Sequence, residues 1–146
     1  MPFQITPITT HLDTTNALQM RADETPGFPC RITLEDTPIG EEVLLVHYTH
    51  QPANTPFHAS HAIYIRPNAI PATPQPNEVP AMLTKRILSL RAFDKDDMLC
   101  EADLAEGTQI ATTIDRLFSN ESVAYIHLHF AKPGCYAARA DRIAVE

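Results

Sequence analysis

Hydrophobic and polar positions alternate most regularly over residues 123–130. Ala124, Ile126, Leu128 and Phe130 fall on one face, and Val123, Tyr125, His127 and His129 on the other. A period of two over such a stretch predicts a strand with one strongly apolar face. Residues 87–93 repeat the pattern, with Leu88, Leu90 and Ala92 set against Ser89, Arg91 and Phe93. Residues 43–50 are apolar on both faces at their start, as in a central strand. Shorter alternations predict strands at 3–8 (an edge, from Pro7), 30–35 and 62–66. A further strand is predicted at 98–104, with Met98, Cys100, Ala102 and Leu104 inward.

The period changes over residues 108–119. Ile110, Ile114, Leu117 and Phe118 form an i, i+4, i+7, i+8 stripe, with Thr108 placed to cap the start and Asn120 to turn left-handed at the end. Residues 10–20 carry a weaker helical stripe, 79–85 a helical turn, and 142–145 a last edge. Residues 30–35 and 43–50, joined around Pro38-Ile39-Gly40, are expected to pair as a hairpin. The order predicts an α+β fold: a single domain over residues 1–146, a mainly antiparallel sheet, and one amphipathic helix packed on one face. Its central strands are expected at 43–50, 87–93 and 123–130.

Composition sharpens this in three ways. Thirteen prolines against four glycines imply stiff loops, and five prolines in residues 67–80 mark a surface loop inside the domain. The net charge is -7, and the basic residues are scattered apart from Lys85-Arg86, so a nucleic-acid partner is not expected. No apolar run reaches the ~20 residues that span a bilayer, so no membrane association is expected. Three cysteines without a C-x-x-C spacing and an N-terminus without a leader pattern predict reduced thiols in a cytoplasmic protein.

Pro26-Gly-Phe-Pro-Cys-Arg31, Ser89-Leu-Arg-Ala-Phe-Asp94, and His127-Leu-His129 followed by Pro133-Gly-Cys-Tyr-Ala-Ala-Arg139 together carry a resemblance. The chain resembles the bacterial family known as domain of unknown function 1203, over nearly its whole length. The resemblance implies a small bacterial protein and brings no established activity. Phe130 and His61 depart from the asparagine and glycine that the resemblance implies at those positions.

His127 and His129 share one strand face about 7 Å apart, close enough to flank a small ligand. A shared metal would need a third ligand from His47, His61 or Cys135, and no metal set is assigned on sequence alone. The offsets His47-x-x-His50 and His58-x-x-His61 put rings on opposite faces of a strand. Cys135 depends on the turn at Pro133-Gly134. A two-residue loop sends Cys135 and Arg139 to the apolar face, whereas a three-residue loop sets Ala131 against Cys135 and Arg139 against His127. Burying Arg139 unpaired among Leu128 and Phe130 would be costly, which favours the three-residue loop or an equivalent bulge. Cys135 would then stand beside the imidazoles as a nucleophile.

His127, His129 and Cys135 are therefore the candidate catalytic residues. Arg31, Arg91, Arg139 and Tyr136 are the candidate ligand-binding residues, suited to a carboxylate or phosphate. No cofactor motif is present: there is no G-x-G-x-x-G, P-loop, G-x-S-x-G or H-E-x-x-H. The pattern predicts a binding protein or enzyme for a small anionic metabolite. The alternative is a non-catalytic interaction domain, homodimeric, whose polar sheet face meets a partner.

Overall fold

Alternation places the most apolar strands in the middle of each sheet. The computed structural model describes residues 2–144. One sheet runs β1 (Phe3–Thr6), β10 (Tyr136–Arg142), β9 (Tyr125–Phe130), β7 (Ile87–Phe93) and β8 (Leu99–Glu106), with every neighbour antiparallel. A second antiparallel sheet runs β2 (Leu18–Arg21), β5 (Glu42–Gln51) and β6 (Ala59–Ile65). A short ribbon joins β3 (Pro29–Cys30) to β4 (Glu35–Asp36), and the helices are α1 (Ala81–Thr84) and α2 (Gln109–Phe118). The fold is a mainly antiparallel α+β arrangement. No helix among the described residues is long and apolar enough to cross a membrane.

Each face of the five-stranded sheet has its own cover. Leu88, Leu90, Ile126, Leu128 and Phe130 lie in one buried cluster with Ile110, Ile114, Leu117 and Phe118 of α2. Each fully buried Leu or Ile contributes about 1.5–3 kcal/mol. On the opposite face, Tyr136 joins Val46, Ile63, Ile65 and Ile8 in a second cluster, which seats the three-stranded sheet there. Leu44, Val46 and Tyr48 of β5 point into that cluster, while Val43 packs outward with Ala22 and Phe28. The early residues of β5 are thus covered on both sides, as their composition requires. The three expected central strands are interior, but in two sheets rather than one: β5 in the smaller, β7 and β9 in the larger.

Several local expectations are corrected. Residues 10–20 form no helix; Ala17 N–H closes a turn on the Thr14 carbonyl, and β2 follows. Residues 30–35 are not one strand: residues 31–34 form the turn that joins β3 to β4, with Leu34 N–H on the Cys30 carbonyl and Leu34 at φ 54°. The hairpin between residues 30–35 and 43–50 therefore does not form, and β5 pairs with β2 and β6.

On β8, Cys100 and Leu104 are exposed, and Ala105 is buried on the helix side. Arg116 of α2 pairs with Glu101 at 3.0 Å and Asp103 at 2.5 Å, so the acidic face of β8 turns to the helix. Alternation alone does not reveal which face of β8 the helix covers. Thr108 makes no side-chain cap, and α2 ends on a right-handed Ser119 without a left-handed Asn120. Residues 67–80 contain no helix or strand. They are nevertheless fastened to β1, with Asn77 N–H on the Phe3 carbonyl at 2.8 Å and Phe3 N–H on Asn77 Oδ1 at 3.0 Å. β10 ends at Arg142, and Val145 of the expected last edge lies outside the described residues.

Candidate functional site

The side chains of β9 that point away from α2 meet their counterparts on both neighbouring strands. Arg91 of β7 stands opposite His127, and Ser89 opposite His129. On β10, Arg139 stands opposite His127 and Tyr136 opposite His129, with a bulge between Tyr136 and Ala138. The turn is closed by Gly134 N–H on the Phe130 carbonyl at 2.8 Å, with Gly134 at φ 84°, where a side chain would be strained.

Phe130, rather than Ala131, then donates to the Cys135 carbonyl at 2.9 Å. The result combines the two registers considered from sequence. Cys135 lies on the apolar side and packs against the α2 cluster; the bulge then flips the strand and returns Arg139 to the imidazole side. The expected placement of Cys135 beside the imidazoles is therefore corrected. It accepts a hydrogen bond from Arg31 Nη2 at 2.9 Å.

Arg31 is also away from the histidine face. It is 1% exposed, donates to the Tyr136 and Pro29 carbonyls at 2.8 and 2.7 Å, and lies over the Phe130 ring at 4.9 Å. These contacts tie the residue 28–31 segment to β10. Arg139 is held by Asp141 at 2.9 Å and lies 4.2 Å over the Tyr125 ring. Arg91 is different. Its Nε–H reaches Ser89 Oγ at 3.2 Å, and among the described residues it forms no ion pair.

The imidazole face is not a free polar surface, because the second sheet covers it with two more histidines. His50 of β5 and His61 of β6 stack with centroids 4.8 Å apart. The His50 ring meets His129 edge-on at 4.9 Å and His127 at 5.9 Å, and it stacks on Tyr136 at 5.2 Å. His47, one pleat away, is exposed. His127 and His129 are 3% and 1% exposed.

Burial dominates the electrostatics here. Loss of water, with His61 and Arg91 adding to it, lowers His50 from 6.5 to about 4. His127 falls to about 3, through burial and then His50 and Arg139. His129 falls to about 3 through burial, although the Gly134 carbonyl opposes the shift. His61 moves down for the same first reason. The four rings are therefore neutral near pH 7, and burial also lowers Arg91.

Neutral rings need partners, and these are short of them. The Nδ1 atoms of His50, His61 and His127 are buried without a hydrogen-bond partner among the described residues, each a deficit of about 1–3 kcal/mol. His129 Nδ1 lies 3.0 Å from the Gly134 carbonyl, so Nδ1 carries the proton and Nε2 keeps its lone pair. At the rim, Gln51 Nε2 donates to the Tyr125 hydroxyl at 2.9 Å, which donates to Asp97 Oδ1 at 2.6 Å. Burial, then Asp97, pushes that hydroxyl up to about 12. Here a cleft of about 230 Å³, lined by His50, Gln51, Asp97, Tyr125, His127 and Arg139, leads to the histidines. Larger clefts of about 470–500 Å³ lie elsewhere, and none is lined by these histidines.

Of the residues singled out from sequence, the structure brings His127, His129, Arg91, Arg139 and Tyr136 to one face and sets Cys135 and Arg31 apart. His50 and Gln51 were missed. The alternation of Leu44, Val46, Tyr48 and His50 shows that His50 shares a face with core residues, but not that another sheet lies opposite. Comparison with curated proteins and with solved structures gave no match. The chain does match the family described as Protein of unknown function (DUF1203) over residues 27–142. That span covers most of the 146 residues, and the chain belongs to the DUF1203 family.

Proposed function

We propose that the space between the two sheets binds a small anionic ligand, with Arg91 as its charge partner and His127 as its hydrogen-bonding or acid–base group. Arg91 carries this reading: a half-buried guanidinium with no carboxylate partner among the described residues, opposite His127. The imidazoles around it are neutral near pH 7, so an uncompensated positive charge faces groups that can donate or accept protons. A carboxylate or phosphate oxygen there satisfies the guanidinium in a fork geometry. The orphan Nδ1 of His127 supplies a hydrogen-bonding group to the ligand.

Thermal melting against phosphate, sulfate and small mono- and dicarboxylates tests this. At least one anion raises the melting temperature, and Arg91→Met and His127→Ala each remove the rise. A flat response across the panel, or a rise that survives Arg91→Met, refutes the proposal.

A second reading, association of two copies, is favoured by β8. This edge strand exposes Leu104 at 63% and Leu99 at 37%, beside Ile87 of β7 at 51%. An open edge with an apolar strip is a natural template for pairing. Sedimentation of the native chain and of Leu104→Lys separates the cases. A dimer that dissociates on substitution supports association, and a monomer at all concentrations removes it.

A further inference from the structure

We propose that His50, His61 and His129 form a binding site for a divalent transition-metal ion, zinc foremost. The site goes beyond anion binding at Arg91, uses other side chains, and stands whether or not an anion binds. Three strands from two sheets deliver the rings: β5, β6 and β9. One ring nitrogen from each lies within 4.8 Å of the other two. Zinc with nitrogen ligands at ~2.0–2.1 Å in tetrahedral geometry brings such atoms to about 3.3 Å from one another. The observed spacing is up to about 1.5 Å longer, so ion binding would draw the three rings together.

Independent observations support coordination over packing. His129 Nδ1 is engaged by the Gly134 carbonyl at 3.0 Å, the outer contact that fixes the tautomer of a ligating histidine and aims Nε2 at an ion. His50 and His61 each bury an Nδ1 with no partner among the described residues, and His50 is only 7% exposed. Stacking rings for packing alone is better served by phenylalanine, which leaves no orphan nitrogen. The donor set also selects the ion. Three imidazoles without a carboxylate suit zinc, copper, nickel or iron, and not magnesium or calcium, which take oxygen ligands. His127 stands outside the trio, with its centroid 5.9 Å from His50 and 6.4 Å from His129.

The test is calorimetric titration of zinc into chelator-stripped, tag-free protein. The expected result is one ion per chain, with affinity falling at least tenfold in His61→Ala and in His129→Ala and unchanged in His47→Ala. Absence of saturable one-to-one binding, or equal affinity in all variants, overturns the proposal. Should the substituted chains not fold, imidazole nitrogen resonances of the native chain locate the ion directly. Zinc is expected to move those of His50, His61 and His129 and to leave those of His11, His47 and His58 in place. Movement confined to the latter three overturns the site.

Discussion

The two faces of the five-stranded sheet use the same backbone and end in different states of completion. Toward α2, Leu88, Leu90, Ile126 and Leu128 are each 0% exposed and meet Ile110, Ile114 and Leu117, also at 0%. No polar atom is required there, and the face is complete within the chain. Toward the second sheet, the same strands present Arg91, His127 and His129, and the cover adds His50 and His61. Three buried ring nitrogens have no partner among the described residues. Burial without satisfaction costs stability, and such a cost concentrates where something else is to be bound. The apolar face holds the chain together, and the imidazole face is where we place its chemistry.

Acid should separate the faces most strongly. Above pH 6.5 the folded and unfolded chains both hold these imidazoles neutral. Below it the unfolded chain binds protons that folded His50, His127 and His129 refuse until about pH 4 to 3. Stability therefore falls with pH across that window, by up to about 1.4 kcal/mol per pH unit for each histidine. Urea midpoints at stepped pH are expected to drop steeply below 6.5. A flat profile down to pH 4 would mean that water or a bound group already reaches the rings.

The apolar face should respond to volume instead. Leu117→Ala, at a residue 0% exposed, is expected to lose about 2–5 kcal/mol in urea denaturation, with anion and zinc responses intact at low temperature. A loss below ~1 kcal/mol would mean that the α2 face is packed more loosely than its burial indicates.

Arg91→Met should do the reverse. Its side chain has no ion pair to lose among the described residues, so stability is expected to change by less than about 1 kcal/mol, while the anion-induced rise in melting temperature disappears. Smallest of all, Leu104→Lys on the exposed strip is expected to move monomer stability by no more than about 0.5 kcal/mol. A larger loss at high protein concentration alone would point to association through β8.

Legibility from sequence follows the same division. Strand 87–93 and the stripe Ile110, Ile114, Leu117 and Phe118 were readable because local period and burial agree there. Residues 10–20 and 30–35 misled because short strands and turns are decided by what they pair with. Part of the candidate site was visible: His127 and His129 on one strand face, with Arg91 and Arg139 as candidate anion partners. The rest arrives from β5 and β6 across a layer, and no spacing along the chain encodes which sheet lies above another. Cys135 shows the limit most sharply. One bulge between Tyr136 and Ala138 separates a thiol among imidazoles from a thiol against the α2 core.

The stability of His127→Phe, followed by its response to the anion panel, tests directly whether the imidazole face is kept for a ligand. His127 is 3% exposed, with an orphan Nδ1 and Phe93 and Tyr125 as ring neighbours, so a phenylalanine ring replaces the unpartnered nitrogen with an apolar edge among aromatic neighbours. If this face keeps its imidazoles for a ligand, the variant melts at or above the native temperature and no longer responds to the anion that stabilises the native chain. A variant that melts well below the native protein, beside a native protein that responds to no anion, would show that His127 serves the packing and contradict the account.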